Sequence, residues 1–410
     1  MAYLTNPVTY QDSPNLNAFS RLRVSDLTTL FDSDLQYNLS PNFWQSVLTS
    51  GGTAASVANQ SSCLMTVTST TGSQVVRQTY KYFRYQPGKS QMIVMTGVMG
   101  AVVANVTKHI GYFDAQNGVG FYQDGTNTGV FVRTYTGGSA SDTLIAQSSW
   151  NVDKMDGSGP SGITLDFSKT QIFVMDLQWL GVGRVRYGFN VNGVIYYCHY
   201  RNNANTLTIV YMTSANLPLR YDITNNAGGA GATMTQICST VMSESGVQIT
   251  NGRDFAVGNG ITTIGVTTRR PILSIQPAAT FNSLTNRTDT ALGHIEIYAD
   301  AAIYWELVYG NTTNSLALTG ASFAAVNSGS GGSAVNYDVA ATAISGGIVV
   351  ASGYIGSAKQ SSFSIGADLA TYFPFGLDAA GSNPNTWTIV ITSLSGTANS
   401  AASFNWTERR

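Results

Sequence analysis

The chain has 410 residues, of which 10% are Asp, Glu, Lys or Arg, and its formal net charge is −1; an ordinary soluble domain carries about 25% charged residues. This balance excludes a long-range field that would draw in nucleic acid or an anionic membrane, and no basic tract offers a row of phosphate contacts. The length suits roughly two to four domains, with cores large enough to need no disulfide.

With so few charges, the surface must be covered by Ser, Thr, Asn, Gln and Gly, which suits packing against like surfaces. Cys63, Cys198 and Cys238 lie far apart at no metal-ligand spacing. Their odd number argues against a disulfide scaffold, and buried reduced thiols are expected. Met1-Ala2-Tyr3-Leu4 shows neither a basic nor an apolar signal-peptide region. No apolar run approaches the roughly 18 residues of a membrane-spanning helix.

Residues 1–40 alternate poorly and are rich in Asn, Asp, Ser and Pro, with apolar anchors at Phe19, Leu22, Val24, Leu30 and Phe31. They read as an extended arm whose anchors dock on a neighbouring domain or subunit, or as a cap on the chain's own first domain. The stretch Asn42 to Leu48 suggests one short helix. From Gln60 onward short strands take over, rich in β-branched and aromatic residues and bounded by Gly, Ser and Asn turns. Asp124-Gly125-Thr126-Asn127 predicts one hairpin. Asn192-Gly193 predicts another of type I′, since that turn needs positive φ at two successive residues. Around it, Val185, Tyr187, Phe189 and Val191 point to one face, and Arg184, Arg186, Gly188 and Asn190 to the other. Residues 170–179 read as a half-exposed strand.

The pattern gives an all-β chain of antiparallel β-sandwich, jelly-roll-like domains with an extended N-terminal arm. The first sandwich covers 41–250, a turn-rich linker 251–268, and a second antiparallel β domain 269–410, with a Gly/Ser/Ala-rich insertion at 320–343.

Motifs for chemistry are sparse. His109, His199 and His294 are scattered, with no zinc spacing, and no phosphate-binding glycine loop is present. Gly157-Ser158-Gly159-Pro160-Ser161-Gly162 lacks the helix of a nucleophile elbow and reads as a rigid loop. Asp153, Asp156, Asp166 and Asp176 are the carboxylates a glycosidase could pair, but nothing in their spacing specifies such a pair. Asp153-x-x-Asp156-Gly157 has too few oxygen ligands for a calcium loop. The expectation is a protein that is not an enzyme and holds no metal or cofactor. Trp150, Trp179, Tyr196 and Tyr197 are candidates for a glycan platform or an interface, with burial in the core as the competing role.

Several runs carry a resemblance. They are Phe19-Ser20-Arg21-Leu22-Arg23-Val24-Ser25, the run from Trp150 to Gly162, the run from Leu177 to Phe189, and Gln236-Ile237-Cys238-Ser239-Thr240. They resemble virion structural proteins of tailed bacteriophages, marine phages among them, over most of the chain up to about residue 250. The central domain resembles a concanavalin-like jelly roll. This resemblance implies a structural component of a virion (fibre, collar, tail or head decoration), made in the host cytoplasm. Its implied partners are copies of itself, with a homotrimer favoured, and other virion proteins. The alternative that the jelly roll implies is an adhesin or receptor-binding protein that recognises a host-surface glycan.

Overall fold

The computed structural model describes residues 16–19, 27–244, 252–327, 331–365, 369 and 372–409. It is built from antiparallel sheets and divides into two compact units. The first holds Met1–Ser40, Ser46–Gln78 and Phe83–Gln248, and the second holds Pro41–Gln45, Thr79–Tyr82 and Ile249–Arg410.

The first unit is a sandwich. Sheet A has eight strands, in the order Val194–Arg201, Val185–Val191, Gln171–Leu177, Gln91–Val98, Ala232–Glu244, Ser62–Val67 and Thr53–Val57, with Leu27–Ser33 also paired on Ala232–Glu244. Sheet B has seven, in the order Ser141–Ala146, Thr128–Thr134, Gly118–Gln123, Val106–Phe113, Leu219–Asn225, Gln74–Thr79 and Trp44–Thr49. The inner faces meet through aromatic rings. Phe121 of sheet B lies 5.0 Å from Phe173 and from Phe189 of sheet A, and edge-on to Tyr187 at 5.9 Å. Such tilted contacts add to the roughly 2–3 kcal/mol gained by burying each ring. The Tyr187 hydroxyl is brought into this core because it can donate to the Phe131 carbonyl at 3.0 Å.

Several local expectations change or sharpen. Trp44–Thr49 is an edge strand instead of a helix; its Trp44 is fully buried, and a place in the core outweighs a weak local helix preference. The strand Gln171–Leu177 is buried on both faces from Phe173 onward instead of half-exposed. Leu16 and Asn17 of the arm are themselves buried, and the Leu16 carbonyl accepts a hydrogen bond from Arg186 on the outer face of sheet A. Cys63 and Cys198 are buried free thiols, whereas Cys238 is exposed.

The second unit pairs a five-stranded sheet with a six-stranded one. The first runs Arg253–Gly258, Ala398–Arg409, Asp289–Ala299 and Lys359–Ser364, with Ile264–Val266 also on Ala398–Arg409. The second runs Ala324–Ala325, Val335–Asp338, Arg270–Pro277, Thr386–Ser393, Ile303–Gly310 and Ile348–Ile355. Trp305, Trp387, Phe404 and Trp406 fill the core, and Trp305 meets Phe363 across the sheets at 4.3 Å. The stretch 251–268, expected as a linker, therefore contributes two strands, and residues 320–343 contribute two more.

Candidate functional site

At one edge of sheet A the strand Val194–Arg201 has no strand beyond it among the described residues. A bare edge of this kind exposes unpaired amides and carbonyls. A loop from earlier in the chain, beginning at Trp150, covers it by imitating a strand. Asn151 accepts from the Tyr200 amide at 2.9 Å and donates to the Tyr200 carbonyl at 2.8 Å. The amides of Val152 and Asp153 both donate to the Cys198 carbonyl, at 3.2 and 3.1 Å.

Beyond Asp153 the chain turns back on its carboxylate. One oxygen accepts from the Met155 amide at 2.7 Å and the other from the Ser161 amide at 2.8 Å. Gly159 is required here, because a Cβ at that position would come within 1.9 Å of the same carboxylate. The run from Gly157 to Gly162 is thus folded around a buried acid, which accounts for its rigid-loop composition.

Loop and strand together form an open groove of about 350 Å³, lined by Val152, Asp153, Pro160 and Ser161 on one side and by Val194, Ile195, Tyr196, Tyr197 and Tyr200 on the other. The Tyr197 and Tyr200 rings sit edge to face with centroids 5.9 Å apart. Each ring has a cation over one face: Arg186 lies 4.3 Å over Tyr197 and Arg184 lies 5.1 Å over Tyr200. Arg186 in turn pairs with Asp176, fully buried, whose other oxygen accepts from Ser90. The groove is therefore an aromatic surface of set orientation, edged by a hydroxyl at Ser161.

The residues singled out in the sequence fall into three groups. Tyr196 and Tyr197 border the groove, but Tyr197 is buried and forms its floor, with its hydroxyl on Asp176. Trp150 does not border it, being 4% exposed and packed on Phe189. Trp179 is half-buried, edge-on to Tyr85 at 6.1 Å, with its indole N–H directed at the Met212 carbonyl. Asn192 and Gly193 have φ of 54° and 84° and form the exposed tip of the hairpin, next to Val194. Of the arm anchors, Phe19 is half-buried, Leu30 is half-buried, and Phe31 is in the core, 5.2 Å from Phe83. Leu22 and Val24 lie outside the described residues.

Tyr200 and Ser161 join the site without having been selected, and Asp153, weighed only as a carboxylate to pair or a calcium ligand, joins it as a loop organiser. Tyr200 was hidden by a β-bulge opposite Tyr187/Gly188, which shifts the alternation and returns Tyr197 and Tyr200 to one face. The four aspartates have separate roles. Asp153 organises the loop and Asp176 neutralises Arg186. The exposed Asp156 and Asp166 each close their own turn by accepting from Ser158 and Ser168, which holds both carboxyls below the usual range. Among the described residues no three His, Cys, Asp or Glu side chains gather as a metal site.

No family model matches the chain, and no curated protein matches it. Solved structures do resemble it. A putative β-glucanase from Mycobacterium abscessus aligns at 10% identity and TM-score 0.36, over 52% of this chain and 100% of the other. A glycoside hydrolase family 16 endo-glucanase from Bacteroides ovatus aligns at 8% and 0.33, over 52% and 99%. A legume lectin-like domain from Entamoeba histolytica aligns at 10% and 0.29, over 49% and 90%. No residue role is carried over from them. Glycoside hydrolases stand among these likenesses, so the expectation that the chain is not an enzyme is corrected. Missing sequence motifs were its main support, and enzymes with catalytic acids spread over several strands need no compact motif.

Proposed function

We propose that the chain binds a carbohydrate in the groove between Val194–Arg201 and the loop from Trp150, as an adhesin or receptor-binding protein would. The observation that carries this reading is the tyrosine surface. Half-buried Tyr196 and Tyr200 line one wall over the buried Tyr197, and Arg184 and Arg186 each contact a ring face, of Tyr200 and Tyr197. A sugar ring offers one apolar face and a rim of hydroxyls, which matches flat aromatic surfaces beside polar edges. A surface fixed beforehand also lowers the ordering cost of binding. Screening the full chain on a glycan array, followed by titration of the best ligand, tests it. Tyr200→Ala and Tyr196→Ala are expected to weaken binding by about tenfold each. Absence of any glycan ligand, or full affinity in both variants, overturns it.

A second reading places the protein in a virion as a self-associating structural component, with a homotrimer as the expected assembly. It is supported by the resemblance of the N-terminal half to tailed-phage virion proteins and by the scarcity of charge, because uncharged polar surface is cheaper to desolvate than ions. Light scattering at low and high salt tests it. A trimer insensitive to salt agrees with it, and a monomer at micromolar concentration in both contradicts self-assembly.

A further inference from the structure

The second unit contains a small pocket of about 60 Å³, bordered by Lys81, Tyr82, Arg287, Asp289 and Phe375. We propose that it binds one compact oxyanion group, a carboxylate or a sulfate, through Lys81 and Arg287. Three observations carry this. The first is charge. The whole chain has only 21 Lys and Arg among 410 residues, yet two of them border this one small pocket. Its one acid, Asp289, pairs with Arg409 at 2.9 Å and also acts on Lys81, so three cations surround a single carboxylate and the local balance still favours an anion. The second is preorganisation. The Arg287 guanidinium stacks over the Tyr82 ring at 4.0 Å and donates to the Asp378 carbonyl at 3.3 Å. These contacts hold its plane in position, and a guanidinium presents paired donors that match an oxyanion's geometry. The third is size. A pocket of this volume holds more than a single water but not a sugar ring, so it would take the charged group of a ligand whose remainder stays outside. Burial also drives the Lys81 ammonium toward a lower pKa, and an anion beside it would relieve that penalty.

The same chemistry could be supplied by a free inorganic ion or by an acidic sugar, and the experiment separates them. The full-length chain is heated with sodium sulfate, with sodium glucuronate, and with sodium chloride at matched ionic strength. Occupancy at ten times Kd is expected to raise the melting temperature of the second unit by about 2–4 °C over chloride. A response to sulfate alone identifies an inorganic-ion site, and tighter binding of glucuronate identifies an acidic-sugar site. Arg287→Gln and Lys81→Met are each expected to weaken binding at least tenfold. In case either variant fails to fold, crystals of the unaltered protein soaked in selenate give an independent answer: an anomalous peak between Lys81 and Arg287 supports the site. No shift beyond chloride, a shift retained in folded Arg287→Gln, or no selenate in the pocket each overturns it.

Discussion

The guanidinium of Arg186 donates a hydrogen bond to the main-chain carbonyl of Leu16, 170 residues earlier in the chain. The same group pairs with Asp176 and underlies Tyr197. One buried cation thus ties the arm to the outer face of sheet A and to a wall of the groove. Arg186→Met leaves the Asp176 carboxylate buried without its main counter-charge. The expected cost is about 3–5 kcal/mol in urea unfolding. Asp176→Leu combined with Arg186→Met should recover most of that loss, since the uncompensated charge is gone. A double variant as unstable as the single one would show that packing, and not charge, dominates.

The arm is also a structural part of its own unit. Leu27–Ser33 pairs with Ala232–Glu244, and Asn17 donates to the Glu244 carboxylate at 2.7 Å. Phe31→Ala empties a core position against Phe83 and is expected to cost about 3–5 kcal/mol. Calorimetry that finds the first unit melting unchanged would mean that Phe31 packs only loosely.

At the hairpin tip, Gly193 has φ of 84° and open space around it. Gly193→Val should therefore act through backbone strain alone, with an expected loss of about 1–3 kcal/mol. Asn192→Gly serves as the control, because glycine tolerates the same φ, and it should melt within a degree or so of the parent. Equal melting of Gly193→Val and the parent would argue against a type I′ turn in solution.

Acid should weaken the first unit in two stages. Burial, with Arg201 nearby, pushes the His199 imidazole down to about 4 from an ordinary 6.5. Its pKa is depressed on folding, so its contribution is present above about pH 6.5 and lost as the pH falls toward 4. The size is at most about 3 kcal/mol. Asp222 supplies the second stage. Burial alone would raise its pKa, but His109 at 2.7 Å and Arg220 at 3.0 Å outweigh it and hold the carboxyl well below the usual range. That contribution is present above the usual carboxylate range and is lost in stronger acid. Urea midpoints measured from pH 7 to 2 should show the first stage complete and the second well begun. His199→Gln should flatten the first and leave the second, and a first stage that survives the substitution would place its origin elsewhere.

What could be read from the residues was local. Asn192-Gly193 specifies its turn by the φ values it tolerates, and strand composition around Phe121 and Phe189 specifies a sandwich core. Relations that depend on distant partners were hidden. Arg186 occupies an alternating position that would face solvent on an open sheet, and the arriving Leu16 joins Tyr197 in covering it. Trp44 sits in a segment with weak helix preference, and its place in sheet B is set by neighbours far along the chain. Simple alternation puts Tyr200 in phase with Tyr196 and out of phase with Tyr197, until a bulge returns it to the face of Tyr197. Arg253–Gly258 and Ile264–Val266 sat among turn-forming residues, and their strand character comes from the strand they join.

That shared strand has a consequence for the order in which the molecule forms. Arg253–Gly258, Ile264–Val266 and Asp289–Ala299 all pair with Ala398–Arg409, and Phe404 and Trp406 of that strand are core residues. During synthesis, roughly 130–150 residues must emerge after the first of these strands before their common partner arrives. Until then the second unit has no completed five-stranded sheet, and its edges stay open to neighbouring chains. The first unit, complete by residue 244 in its sheet pairings, can fold while the second is still waiting, so translation itself separates the two folding events in time.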